Sequence, residues 1–124
     1  MSVSYNAHVE PPIQDLDLTP RMADVIKVFL EDPQRPRYGL ELMRLTGQGS
    51  GTLYPNLAKF EEAGWLTGGR EDIDPRTEGR PRRRFYRITG AAVLAAHAQL
   101  AALSEHYRPP ALKRPRLAPH GGAL

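Results

Sequence analysis

Two stretches of this 124-residue chain have the residue types and spacing to do chemistry on a polyanion. The first, Ser50-Gly51-Thr52-Leu53-Tyr54-Pro55-Asn56-Leu57, reads as the start of a short helix. At 100° per residue Leu53, Leu57 and Phe60 share one stripe, while Gly51, Thr52, Pro55, Lys59 and Glu62 face the other way and Tyr54 sits at the flank. Its outward N-terminal positions are small or polar, and a helix start presents unpaired N–H groups to an anion, so phosphate can approach closely. The second stretch is the arginine run Gly79-Arg80-Pro81-Arg82-Arg83-Arg84-Phe85-Tyr86, followed by Arg87. Guanidinium groups at a hairpin tip beside such a helix suit phosphate contact, although a charge run on its own is only a solvated surface. Arg84 and Arg87 are the weaker members. Strand alternation turns some of the run's side chains to the wrong face, and one of the run can pair with Glu71 or Asp72. Tyr54 has two readings that the pattern leaves open: packing on the preceding helix, or reaching a base or phosphate.

These residues need a scaffold, and the spacing of apolar residues supplies one. Thr19 is a good N-cap and Pro20 suits the first helical position; Met22, Val25, Ile26, Phe29 and Leu30 then recur as one buried face. The prolines at 33 and 36 disfavour helix before them, which makes residues 31–37 a turn. A second helix is expected over residues 38–46, with Tyr38, Leu42 and Leu45 on its inner side. Gly47-Gln48-Gly49 breaks it, and two short helices across a glycine turn make a helix-turn-helix. Pro55 places the start of the third helix at an N-cap of Gly51 or Thr52, or in an irregular first turn. Gly64 closes that helix in left-handed geometry. Residues 65–71 and 82–88 read as strands of a β-hairpin with a long Gly-, Pro- and Asp-rich tip, a wing. Thr89 caps a last helix reaching about Tyr107, in which Val93, Ala96, Leu100, Leu103 and Tyr107 follow heptad spacing with Leu94 beside them. Phe29, Phe60 and Trp65 are core by default. The expected organisation is a disordered N-terminal arm over 1–17 and a winged helix-turn-helix over 18–90. A dimerisation helix over 91–107 and a disordered, basic, proline-rich tail over 108–124 complete it. The fold class is mainly α with a small β-hairpin.

Composition narrows the function. A chain with 12 prolines and 11 glycines leaves a modest core, so a second copy of the chain is expected to supply burial. The net charge is +3 and the pI about 9.5, with arginine concentrated between Arg70 and Arg87. The absence of cysteine excludes disulfides, thiolate metal sites and cysteine nucleophiles. His8, His97, His106 and His120 lack ligand-like spacing. Gly47-Gln48-Gly49-Ser50-Gly51 lacks the lysine and preceding strand of a phosphate-binding loop, and no catalytic set is visible, so neither enzymatic activity nor a cofactor is expected. Without an apolar run of membrane length or a signal peptide, a cytoplasmic location is the expectation.

Over residues 38–89 the chain resembles the PadR family of winged-helix transcriptional regulators. The motifs are Tyr38-Gly39-Leu40-Glu41-Leu42, Thr46-Gly47, Ser50-Gly51-Thr52-Leu53-Tyr54-Pro55 with Leu57 and Glu61, Gly64-Trp65-Leu66, and Gly79-Arg80-Pro81-Arg82-Arg83 with Tyr86 and Thr89. The resemblance implies a homodimer that binds inverted repeats in double-stranded promoter DNA, commonly as a repressor released by a small-molecule effector. A single final helix before a proline-rich tail is similar to the shorter subfamily. Trp65, the only tryptophan, opens the hairpin, so a drug pocket built on a tryptophan of the last helix has no counterpart. The residues expected at DNA are Tyr38, Ser50, Gly51, Thr52, Tyr54, Pro55, Lys59, Arg80, Arg82, Arg83 and Arg84; those expected at the dimer contact are Val93, Leu94, Ala96, Leu100, Leu103 and Tyr107. The competing expectation is a winged-helix module that docks an acidic protein.

Overall fold

Thr19 opens the helical scaffold: its hydroxyl accepts the Met22 N–H at 3.2 Å and Pro20 takes the first position of α1 (Pro20–Glu31). A computed structural model describes residues 12–112 of the chain. After α1 come β1 (Arg37–Tyr38), α2 (Gly39–Thr46), α3 (Ser50–Glu62), β2 (Leu66–Arg70), α4 (Pro75–Glu78), β3 (Arg84–Ile88) and α5 (Gly90–His106). The result is mostly helical with one antiparallel three-stranded sheet in the order β1-β3-β2. Pairing runs from Leu66 opposite Ile88 to Arg70 opposite Arg84, which points the wing away from the core.

The core forms where α1, α2 and α3 meet the sheet. Phe29, Leu42, Leu53, Phe60 and Trp65 are fully buried, and the Phe60 and Trp65 rings pack 5.8 Å apart. The stripe Leu53-Leu57-Phe60 therefore faces inward as its spacing requires. Gly47 and Gly64 both adopt left-handed geometry at the ends of α2 and α3. Thr89 caps α5 by accepting the Ala92 N–H.

Several local expectations are corrected. Tyr38 does not lie inside the second helix; it belongs to β1, paired with β3, and α2 begins one residue later. The cause is Arg37, only 3% exposed, whose guanidinium donates to the Val28 carbonyl and to Glu41 Oε2, both at 3.1 Å. The other Glu41 oxygen accepts the Tyr38 N–H at 3.3 Å, holding this stretch extended. The buried seam of α2 is Gly39 and Leu42, with Met43 and Thr46 half-buried beside it, so Leu45, roughly 100° round the helix from the middle of that stripe, is 52% exposed instead of inside.

Helix α3 starts earlier than Pro55 suggests, with Gly49 as its N-cap accepting the Thr52 and Leu53 N–H groups at 3.1 and 2.9 Å. Pro55 thus sits inside the helix; the bond it removes is to the Gly51 carbonyl, and both residues lie on the exposed face where water can serve that oxygen. The wing tip contains the short helix α4, capped by the Asp74 carboxylate accepting from Arg76 N–H. Finally, residues 12–17 do not form part of a disordered arm. The Gln14 N–H donates to the Ala63 carbonyl at 2.8 Å, the Trp65 indole donates to the Gln14 carbonyl at 2.7 Å, and the Gln99 side chain donates to the Leu16 carbonyl. The strap satisfies polar groups of Trp65 and Gln99 with main-chain atoms, which no side-chain periodicity announces. The rest of the expected arm, the tail beyond 112, and His8 and His120 lie outside the described residues.

Candidate nucleic-acid interface

Helix α3 is fixed by its buried stripe and presents what remains. Ser50, Gly51, Tyr54, Pro55 and Lys59 are exposed on its outer side, and Thr52 is half-buried. The first turn carries no bulky side chain pointing outward until Tyr54, so a polyanion can come within reach of the helix start. Tyr54 is 42% exposed and lies across α2, its hydroxyl against Gly39, where a Cβ would collide with the ring. Glycine at 39 is thus required by close approach. The Tyr54 ring packs on α2, and its hydroxyl has no hydrogen-bond partner among the described residues.

The wing arginines separate into braces and free groups. Arg80 makes a two-pronged pair with Glu71, at 2.6 and 3.2 Å. The Arg80 guanidinium, and next the Arg83 backbone N–H at 2.9 Å, hold the Glu71 carboxyl down to about 2. Arg84 pairs with Glu61 of α3 at 2.6 Å and lies over the Tyr86 ring at 5.3 Å. That pair crosses Gly68, where a Cβ would strike both charged groups. Contact with the Tyr86 hydroxyl, then with Glu61, raises the Arg84 pKa, while burial raises that of Tyr86. Arg82 donates to the Ile73 carbonyl at 2.8 Å and Arg87 to the Gln34 carbonyl at 3.0 Å. Arg83 is exposed, and its guanidinium makes no hydrogen bond or ion pair among the described residues. The expected pairing of one wing arginine with Glu71 or Asp72 is made by Arg80 on Glu71.

The exposed N-terminal face of α3 and a braced basic wing belong to one winged helix-turn-helix, and the sequence matches the model of the transcriptional regulator PadR-like family over residues 29–96, more than half of the chain. The chain belongs to the PadR-like family. Three solved structures share this PadR-like fold at low identity. AbfR of Staphylococcus epidermidis superposes with a TM-score of 0.57 at 22% identity, covering 72% of this chain and 55% of its own. The protein smu.1704 from Streptococcus mutans UA159 gives 0.56 at 20%, covering 79% and 86%. A PadR-like transcription factor from Bacteroides fragilis gives 0.55 at 20%, covering 68% and 82%. The present chain thus spans little more than half the length of AbfR. No curated protein sequence matches.

Within this PadR-like frame α5 turns only some of its apolar residues toward its own head. Ala92 and Ala96 are fully buried against their own domain, so Ala96 is withdrawn from the expected dimer contact: its small side chain lets α5 pack closely on the head. Val93, Leu100 and Leu103 are half-buried, while Leu94 is 75% and Tyr107 69% exposed. Leu100, Leu103 and Tyr107 also line an open groove of about 600 Å³ against Leu18 and Ala23. No group of three or more metal-ligating side chains and no helix long and apolar enough to cross a membrane occur among the described residues. Sequence reasoning passed over Arg35 and Arg44, which flank Tyr54 and Arg83 in a second cleft; their isolation from the arginine run hid them.

Proposed function

We propose that the chain is a homodimeric, sequence-specific DNA-binding repressor that reads an inverted repeat in promoter DNA and is released by a small-molecule effector. The observation that carries the reading is the shared exposure of the α3 N-terminal face and the unpaired Arg83 guanidinium on one side of the domain. Helix α3 enters the major groove with Thr52, Tyr54 and Lys59 nearest the bases or backbone, and the wing holds adjacent phosphate. One such head reads too few base pairs to specify a site, and two-fold pairing through α5 supplies the second. The exposed positions Ala91, Ala98, Ala101 and Ala102 give that helix a small-residue face beside Leu94, on which a second copy can approach closely. An effector acts by changing the angle between the heads, because half-sites one turn apart, about 34 Å, tolerate little misalignment.

Leu94 is the cleanest probe, since its exposure means that replacing it leaves the core intact. Sedimentation at concentrations above and below micromolar should find the wild type dimeric and Leu94→Glu monomeric. The variant should bind the DNA upstream of the protein's own gene far more weakly, with a smaller loss on random duplex. A wild type that is monomeric throughout, or a Leu94→Glu protein that stays dimeric, would contradict the α5 interface.

A further inference from the structure

We infer that the cleft between α2 and the wing is a seat for one sugar-phosphate unit of the DNA backbone, with Arg44 and Arg83 gripping the phosphate and Leu40 covering the deoxyribose. This deepens the DNA-binding reading and rests on it. The cleft holds about 560 Å³ and is bounded by Arg35, Leu40, Arg44, Tyr54, Arg83 and Arg84. Its charges fall into two classes. Arg35 is satisfied by Glu41 at 2.9 Å and Arg84 by Glu61 at 2.6 Å, and these pairs fix the walls. Glu41, the acidic group lining the cleft, is shared between Arg35 and the buried Arg37, so its charge is more than matched. Arg44 and Arg83 are exposed and make no hydrogen bond or ion pair among the described residues. One comes from α2 and the other from β3's approach, so the two free cations face a common space from opposite walls.

Three further observations select a nucleic-acid backbone as the occupant. The Tyr54 hydroxyl, held against Gly39, borders the same space without a hydrogen-bond partner and can donate to a phosphate oxygen. Leu40, 68% exposed and lining the same cleft, gives an apolar surface beside these donors, which a deoxyribose ring covers and an inorganic anion does not. The cleft also adjoins α3 through Tyr54, so a strand whose bases meet the α3 N-terminal turn continues along it toward the wing.

The test is fluorescence anisotropy of the full chain with duplex DNA across a salt series, comparing wild type, Arg44→Gln, Leu40→Asn and, as a control on the groove beside α5, Lys27→Gln. Each phosphate neutralised contributes roughly 0.9 to the log-log salt slope, so Arg44→Gln, which leaves Arg83 alone on that phosphate, should lower the slope of a dimer by up to roughly 1.8 and weaken binding on upstream and random duplex alike. Leu40→Asn should weaken binding severalfold with the slope unchanged, since an apolar contact releases no counterion. Lys27→Gln should change neither, and unaltered circular dichroism keeps folding out of the comparison. An Arg44→Gln slope equal to wild type, with salt-dependent binding otherwise intact, overturns the cleft and leaves the DNA reading standing. A wild type that binds no duplex at low salt overturns both and turns the cleft toward an acidic protein.

Discussion

Helix α3 and the wing lie side by side but are held by opposite means. Leu53, Leu57 and Phe60 anchor α3 in the apolar core, and its outer face needs no further support. Beyond Leu66, Tyr86 and Ile88 the wing has no fully buried apolar side chain among the described residues; Glu71–Arg80, Arg84–Glu61 and Arg82 to the Ile73 carbonyl support it instead. Burial is indifferent to ionic strength, whereas exposed ion pairs are screened by it. Arginine in the wing is therefore of two kinds, and counting the run overstates the number available to a phosphate: the Arg83 side chain makes no hydrogen bond or ion pair among the described residues, whereas Arg80 and Arg84 are mainly struts.

The largest effect that can break this contrast lies in the core. Leu57→Ala should cost about 2 to 5 kcal/mol in chemical denaturation, because it empties volume under α3. Hydrogen exchange should show protection falling across α1, α3 and β2 together. A cost near zero would mean that α3 is not anchored by its stripe.

A smaller and local effect is expected at Glu71. Its folded-state value, about 2, lies below the ordinary 4.5, so its contribution is fully present above 4.5 and is lost as pH falls through about 2. The wing should accordingly stay braced at pH 4 while unpaired carboxylates are already protonating. Glu71→Gln at neutral pH should lower the protection of the Arg83 amide, which donates to that carboxylate, and leave amides of α3 unchanged. Equal protection in both proteins would show that the brace is ornamental to wing order.

What was legible in the sequence follows the same division. The order of helices, the α3 stripe, the caps at Thr19 and Thr89 and the hairpin were readable because each depends on near neighbours in the chain. The Asp74-Pro75 start and Gly79 end of α4 were equally local and were passed over for want of length. What stayed hidden depends on distant partners: the Gln14 strap on Trp65, Glu61 on Arg84 twenty-three residues away, and Arg44 against Arg83. Tyr38 was misplaced for the same reason, since its strand exists only through β3 and through Arg37 reaching Val28. The candidate site was thus visible as residue types, and its sorting into struts and free cations needed the fold.

The central claim, that the α3 face and the free wing cation meet DNA, is tested most directly by the salt dependence of duplex binding for wild type and Arg83→Ala. Arg83 braces nothing through its side chain, so its removal should leave thermal unfolding unchanged. In a dimer the log-log slope should fall by roughly 1.8, two contacts at roughly 0.9 each, with weaker binding to both upstream and random duplex. A slope and affinity identical to wild type would contradict the account, because the unpaired guanidinium that borders the same cleft as Tyr54 would then have no phosphate to meet.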